Sequence, residues 1–175
     1  SVVPPRLVHN FPFYNKCTAH LYGNIMTLQN EFWKHKTLDQ LNQKEWESLC
    51  DHCGRCCLIK LEDEDTGDYY YTDIVCKYHD QQTCQCTQYQ NRKTLVPSCL
   101  KLDPNLLKKS TLKWFPSTCA YRLLSENKEL LWWHPLLSKQ AETVESAGVS
   151  IKYKCISEES IAEEDWEDRI IDWVN

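Results

Sequence analysis

Eleven cysteines stand in a chain of 175 residues, and nine of them fall between Cys50 and Cys119. The densest stretch is Cys50-Asp51-His52-Cys53-Gly54-Arg55-Cys56-Cys57. Thiols at i, i+3 and i+6 on a turning loop can converge on one centre, and Gly54 permits the tight turn. Zinc ribbons and fingers pair one C-x-x-C knuckle with a second pair many residues on. Three closely spaced thiols with a distant fourth follow the bacterial ferredoxin pattern, in which the fourth cysteine precedes proline. No cysteine here is followed by proline, so that match is partial. Cys57 adjoins Cys56 and its side chain cannot easily take the same direction, which points to a second site or to a non-ligand. Cys76, Cys84, Cys86, Cys99 and Cys119 supply the remaining donors. Two four-sulfur sites would consume eight of the nine thiols and leave one over. Cys57 is the candidate for that spare thiol, reactive beside a metal, and His134 for the group that carries its proton. Inert buried thiols alone would not call for such density in a chain long enough to bury an ordinary core.

The cysteines argue against an extracellular scaffold. Their number is odd, and Cys56–Cys57 and Cys84-x-Cys86 crowd thiols more than a disulfide framework requires. Residues 1–25 hold no basic region followed by an apolar run, so they do not read as a secretory signal. A cytoplasmic metal-binding or catalytic role is the expectation. No window approaches the roughly 18 apolar residues of a membrane span. Net charge is −5, but residues 157–172 carry eight acids and one base, a contribution of −7, so the rest of the chain nets +2. An electrostatic case for nucleic-acid binding is therefore weak. Lys108, Lys109 and Lys113 read as a solvated helix face. No Walker loop, dinucleotide-binding glycine pattern, nucleophile elbow or H-E-x-x-H helix is present.

The elements that must position these donors are short. Residues 1–30, with Pro4, Pro5 and Pro12, read as an irregular arm, and the chain's single methionine, Met26, precedes what looks like a proper beginning. A helix is predicted over 37–49, with a Thr37–Gln40 capping box and a Leu38, Leu41, Trp46, Leu49 stripe that delivers Cys50. The aromatic run after Gly67 predicts a strand at 69–75. Residues 77–101 have no sustained period and need a staple from outside. Asp103-Pro104 opens a short helix to about Lys109, and Thr118 is a candidate cap for another at 119–127. Alternation of Val149, Ile151, Tyr153 and Cys155 predicts a strand, and a Ser160–Glu163 box predicts a C-terminal helix over 160–174. The sum is an α+β single domain with a cysteine-organised middle and capped helices at its flanks.

Other residues weigh less. His52 lies beside the i, i+3, i+6 positions and is an alternative ligand. His134, between aromatics, reads either as ligand or proton carrier or as a hydrogen-bonded histidine, the plainer alternative. His79 reads as an exposed loop histidine. Glu62, Asp63, Glu64 and Asp65 read as a solvated turn before a second cation site. Arg55 and Arg122 offset thiolate charge, since four thiolates around one divalent zinc leave −2.

The chain from about Phe32 onward resembles the bacterial YcgN group of the C-x-x-C-x-x-C-C family, of which YkgJ is a more distant member. The strings that carry the resemblance are WESLCDHCGRCCLIKLEDEDT (46–66), TCQCTQYQNR (83–92), VPSC (96–99), PSTCAYRLL (116–124) and WHPL (133–136). It implies zinc or iron chelation and carries over Cys50, Cys53, Cys56, Cys57, Cys76, Cys84, Cys86, Cys99 and Cys119 as the family's cysteines. Cys17 and Cys155 fall outside it and read as ordinary. It also implies a domain over 31–175 and leaves 1–25 without a counterpart, in keeping with a start at Met26. A flagellin lysine methylase with a similar motif implies that iron–sulfur chemistry is open to such a cysteine set. Two functions follow as expectations: an iron–sulfur or iron protein with a redox or enzymatic role, or a non-catalytic zinc-stabilised interaction module or metal donor. A protein or small-molecule partner is expected, with the acidic helix 160–174 as its contact, and no nucleic acid or membrane.

Overall fold

The computed structural model describes residues 31–99, 101–107 and 115–174. The arm over 1–30, Cys17, and the cluster of Lys108, Lys109 and Lys113 lie outside these residues.

The expected helix 37–49 divides in two. α1 (Phe32–His35) is followed by a 3₁₀ turn over Leu38–Gln40 and then by α2 (Gln43–Ser48). Thr37 and Gln40 do form their capping box, but Asn42 and Glu45 form a second. The Glu45 N–H donates to Asn42 Oδ1 at 2.9 Å, and the Asn42 N–H donates to Glu45 Oε2 at 3.0 Å. A capping residue holds extended backbone, so the helix restarts at Asn42 instead of running through it. Glu45 is 2% exposed, and Lys36 reaches it at 2.6 Å, supplying the counter-charge that burial demands. The stripe itself is as expected: Leu49 is buried, and Leu38, Leu41 and Trp46 pack against the same core.

β1 (Leu58–Glu62) and β2 (Tyr69–Val75) form an antiparallel hairpin, the second strand lying where the aromatic run predicts it. Between them Asp63 Oδ1 accepts the N–H groups of Asp65 and Thr66, so the acids 62–65 form a hairpin turn. β3 (His79–Asp80) and β4 (Gln85–Cys86) make a second, smaller hairpin. Short helices follow the hairpins: α3 (Arg92–Leu95), α4 (Pro104–Leu107), α5 (Ala120–Ser125) and α6 (Pro135–Ser138). Asp103 caps α4 as expected, accepting from Asn105 and Leu106, whereas Cys119, not Thr118, occupies the N-cap of α5. After α7 (Thr143–Ser146), β5 (Ile156–Ser157) joins β2 in parallel, giving a three-stranded sheet in the order β1-β2-β5. The architecture is α+β. Among the described residues no helix is long and apolar enough to cross a membrane.

Two expected elements are replaced. Residues 149–155 are turns, not a strand, because their backbone groups are engaged elsewhere. The Ile151 N–H donates to Cys53 O at 2.9 Å, Val149 O accepts from Arg55 Nε at 2.7 Å, and Tyr153 takes a positive φ. The acidic helix over 160–174 is instead a series of 3₁₀ turns at Glu158–Ser160, Glu163–Asp165 and Glu167–Arg169. An α-helix there would stack Glu163, Glu164, Glu167 and Asp168 at repelling i, i+3 and i+4 positions. The segment is tied to β2: Arg169 forks onto the Asp73 carboxylate, the Ile171 N–H donates to Tyr71 O at 2.8 Å, and Ile170 bridges Thr72. Ser157, not Ser160, supplies a cap there.

Two apolar clusters result. The first gathers Phe32, Trp33, Leu49, Leu107, Tyr121 and Leu136, with Cys50 and Cys119 packed against it. The second gathers Leu58, Tyr71, Val75, Ile151 and Val174 together with Cys84 and Cys155, with Cys57 packed against it. The cysteine loop runs between the two.

Candidate metal centre

α2 ends at buried Leu49, and the chain turns at once through Cys50, Asp51, His52, Cys53 and Gly54. Three features hold this loop. Asp51 Oδ1 accepts the Cys53 N–H at 3.1 Å. His52 and Gly54 both have positive φ, 57° and 78°. The Cys57 N–H closes a 3₁₀ turn onto Gly54 O at 2.9 Å. Gly54 is also sterically required, since a Cβ there would meet Ile151 Cγ1 at 2.7 Å and His79 Cε1 at 3.0 Å.

Cys119 is folded back onto this loop from far along the chain. Thr118 Oγ1 accepts from Arg55 Nη1 at 3.5 Å, and the Tyr121 hydroxyl donates to Trp46 O at 2.8 Å, locking α5 against α2. Cys50 and Cys119 consequently rest on the same core. Burial raises the Cys50 and Cys53 thiols well above the usual value, helped by the charges of Cys56 and Asp51, and lifts Cys119 to about 12. Cys56 is exposed and differs: the Cys57 thiol donates to it and the Lys60 ammonium lies near, bringing it down to about 7. Cys57, as that donor, is raised. Cys57, the thiol selected from the sequence, is thus the donor of this pair and Cys56 the acceptor.

A second set of thiols lies at the β hairpins. Cys76, Cys86 and Cys99 are half-buried. Burial raises Cys76 and Cys99; both also sense the charge of Cys86, and Cys99 that of Cys56 as well. Cys84 stands apart from both sets: it is buried in the second core with its Sγ 3.5 Å from Ser150 Oγ. Cys155 is buried beside it, pushed up to about 11 by burial, and its Sγ approaches Ile151 O at 3.7 Å.

The histidines divide as well. His134 is 3% exposed and caps α6, its Nδ1 accepting the Leu136 N–H at 3.1 Å while Nε2 lies 3.0 Å from Leu49 O. Both ring nitrogens are thus committed to backbone, which makes it the hydrogen-bonded histidine of the plainer sequence reading. His52 is half-buried, and burial lowers its pKa. His79 is not the exposed loop residue expected: it is 8% exposed, lies against Gly54, and neither ring nitrogen has a hydrogen-bond partner. Its place three residues after Cys76, at the start of a strand, was the signal available for that burial.

Among the described residues no three thiols, imidazoles or carboxylates already stand together in metal-ligating geometry, and the cysteines are free thiols. The fit of the site to a metal therefore rests on donor chemistry and charge. Arg55 is 5% exposed, and its hydrogen-bond partners among the described residues, Val149 O and Thr118 Oγ1, are neutral. A guanidinium keeps its proton in a protein, and a buried cation without an anion is costly. A metal bound by several thiolates carries net negative charge and supplies that anion between Cys53 and Cys56. Arg122, by contrast, has Glu126 at 2.9 Å. The sulfur donors and the buried cation together fit a thiolate-bound metal.

The comparisons with known proteins agree with this chemistry. A family model described as "CxxCxxCC: Putative zinc- or iron-chelating domain" matches residues 49–120. A UPF0260 protein of Mesorhizobium japonicum is 51% identical over 147 residues, which are 83% of this chain and 98% of its own length. The chain belongs to the UPF0260 family. A UPF0260 protein of Marinobacter nauticus is 50% identical over 149 residues, 85% of this chain and 99% of the relative. One from Pseudomonas fluorescens is 52% identical over 140 residues, 80% of this chain and 93% of the relative. No solved structure matches. Membership in this bacterial family supports metal binding through the cysteine cluster, whose matched span runs from Leu49 to Ala120 and so includes Cys119.

Proposed function

We propose that the protein binds iron through its cysteines, as an iron–sulfur cluster with a redox role in the cytoplasm. The observation that carries the reading is the return of Cys119 to the core that also seats Cys50, which adds a remote thiol to the C-x-x-C-x-x-C loop. Three clustered thiols and a distant one match the arrangement that holds iron–sulfur clusters. When bound, such a cluster supplies one-electron transfer. The chain's residues do the rest. Cys56, ionised near neutrality, is the first thiolate to offer itself. Cys50, Cys53 and Cys119 are half-buried thiols that lose their protons as metal binds, which makes uptake release protons. Arg55 places fixed positive charge in the loop, favouring the more negative form of any centre there. Ile151, through its bond to Cys53 O, keeps the loop from opening.

A zinc-stabilised interaction module is the second reading. It is favoured by the thinness of regular structure between Cys76 and Cys99, where each strand has two residues. Such a segment gains its order from a metal. Anaerobic purification followed by metal and acid-labile sulfide analysis separates the two. Iron with sulfide and a brown colour is the expected result. Zinc without sulfide in a colourless protein overturns the iron–sulfur reading in favour of the module.

A further inference from the structure

Spacing alone points the Cys57 side chain away from Cys56 and toward a separate site. The structure shows the reverse: within the 3₁₀ turn Arg55–Cys57 the Cys57 thiol donates to the Cys56 sulfur, so the two sulfurs face one another. The backbone of the pair is fixed at three points. The Cys57 N–H donates to Gly54 O at 2.9 Å, the Cys57 carbonyl accepts the Cys76 N–H at 3.2 Å, and the Cys56 carbonyl accepts from Lys60 Nζ at 3.0 Å. Lys60 Nζ also reaches Leu58 O at 2.8 Å, so one ammonium brackets Cys57 from both sides. That ammonium lies 5.1 Å from the centre of the Tyr71 ring, folded over the turn. Access differs within the pair. Cys56 is exposed, whereas Cys57 is half-buried and rests against the second core. An incoming group meets Cys56 first and finds Cys57 already in contact with it.

Such a pair is poorly placed to close on itself. Neighbouring Cα atoms across a trans peptide stand about 3.8 Å apart, below the roughly 4.4–6.8 Å that a disulfide asks for. A single atom bridging both sulfurs escapes that limit, because two bonds span the gap that one S–S bond cannot. A soft, thiophilic centre suits such donors.

We propose that Cys56 and Cys57 form a dithiol site for trivalent arsenicals, the pair closing a ring through one arsenic atom when the loop carries no metal. With an arsenical of the form R–As=O, each thiol gives its proton to the oxygen. Two S–As bonds form, the As–O bond breaks, and one water leaves. Arsenic stays trivalent and no electron changes hands. Because the two thiols are already in contact on a fixed turn, little side-chain freedom is lost when the ring closes. The site goes beyond the iron reading above and holds whichever metal the loop takes.

The test is reaction of the full-length protein, stripped of metal by a chelator under anaerobic conditions, with phenylarsine oxide in excess glutathione. Glutathione removes arsenic held by one thiol but not arsenic held by two. Intact mass is expected to show one resistant arsenical per chain, mapped by trypsin to residues 56–60 and released by dithiothreitol. Cys56→Ser and Cys57→Ser each lose that adduct, whereas Cys50→Ser and Cys53→Ser keep it. Cys56 is exposed, so Cys56→Ser carries the test if Cys57→Ser fails to fold, with tryptophan fluorescence reporting folding. Displacing half of the arsenical is expected to take about tenfold more glutathione in buffer than in urea, because the unfolded pair must first be brought together. A resistant adduct that persists in folded Cys56→Ser, or that disappears in folded Cys53→Ser, overturns the assignment to this pair. Equal resistance in buffer and urea overturns the role of the fixed turn. A wild-type chain with no resistant adduct overturns the site itself.

Discussion

Replacing Gly54 by alanine tests whether the cysteine loop is held by close packing from behind. Two costs are legible in the structure. The backbone sits at φ 78°, a left-handed conformation that costs a residue with a Cβ about 1–2 kcal/mol. The new methyl would also lie 2.7 and 2.9 Å from Ile151 side-chain carbons and 3.0 Å from His79, an overpacking worth about 1–3 kcal/mol. Together the expected loss is roughly 2–5 kcal/mol, or a fall in Tm on the order of 5–15 °C for a chain of this size. Gly67 provides the control. Its φ is +67°, but nothing lies within 4 Å of a Cβ built there, so Gly67→Ala bears only the conformational cost of about 1–2 kcal/mol. Urea unfolding followed by tryptophan fluorescence, with both variants in the same metal state, measures the difference. Equal destabilisation of the two would refute the packing argument, because strain alone would then account for Gly54.

Burial lowers the pKa values of His52, His79 and His134, so stability is expected to fall as pH drops below the free-histidine value near 6.5, by up to about 1.4 kcal/mol per pH unit for each group that stays neutral when folded. The sign follows because the unfolded chain binds those protons first; His79→Leu should flatten the slope between pH 7 and 5 in urea melts, and an unchanged slope contradicts it. Arg55→Met should weaken metal binding about 10–100-fold in chelator competition, because the centre loses its buried counter-charge and the loop its bond to Val149 O. Stripping the metal should open Cys50, Cys53, Cys56, Cys57, Cys76, Cys86 and Cys99 to a thiol reagent at once while Cys84 and Cys155, buried in the second core, react with the slow phase of global unfolding; uniform labelling of all cysteines would count against that division.

The parts of the fold that sequence revealed are those governed by local rules. The turn around Gly67 and the tyrosine run that follows define β2, and Asp103-Pro104 starts α4, because each signal is complete within a few residues. The stripe that buries Leu49 is legible for the same reason, though Asn42, an equally good cap, divides the expected single helix into two pieces. What escaped was set at long range. Val149 and Ile151 alternate like a strand, yet their backbone groups are bonded to Arg55 and Cys53, a pairing with no trace in the local pattern. The C-terminal acids mimic a capped amphipathic helix until Arg169 is seen to reach Asp73. The nine candidate cysteines could be named from spacing and resemblance alone, though one of them, Cys84, sits in the second core. Their partition could not, since it depends on which core each thiol rests against.

The brace between Arg55 and Val149 joins residues 94 positions apart. During synthesis at about 5–20 residues per second, the thiol loop would therefore wait on the order of 5–20 s outside the ribosome before its support emerged. Cys119, too, arrives only after the loop has been exposed for some seconds. An ion caught by the loop in that interval is held by a flexible, incomplete set of sulfurs and can still be exchanged. The finished geometry, and with it slow release, comes only with the last quarter of the chain, so the moment of metal commitment is written into the order in which the polypeptide is made.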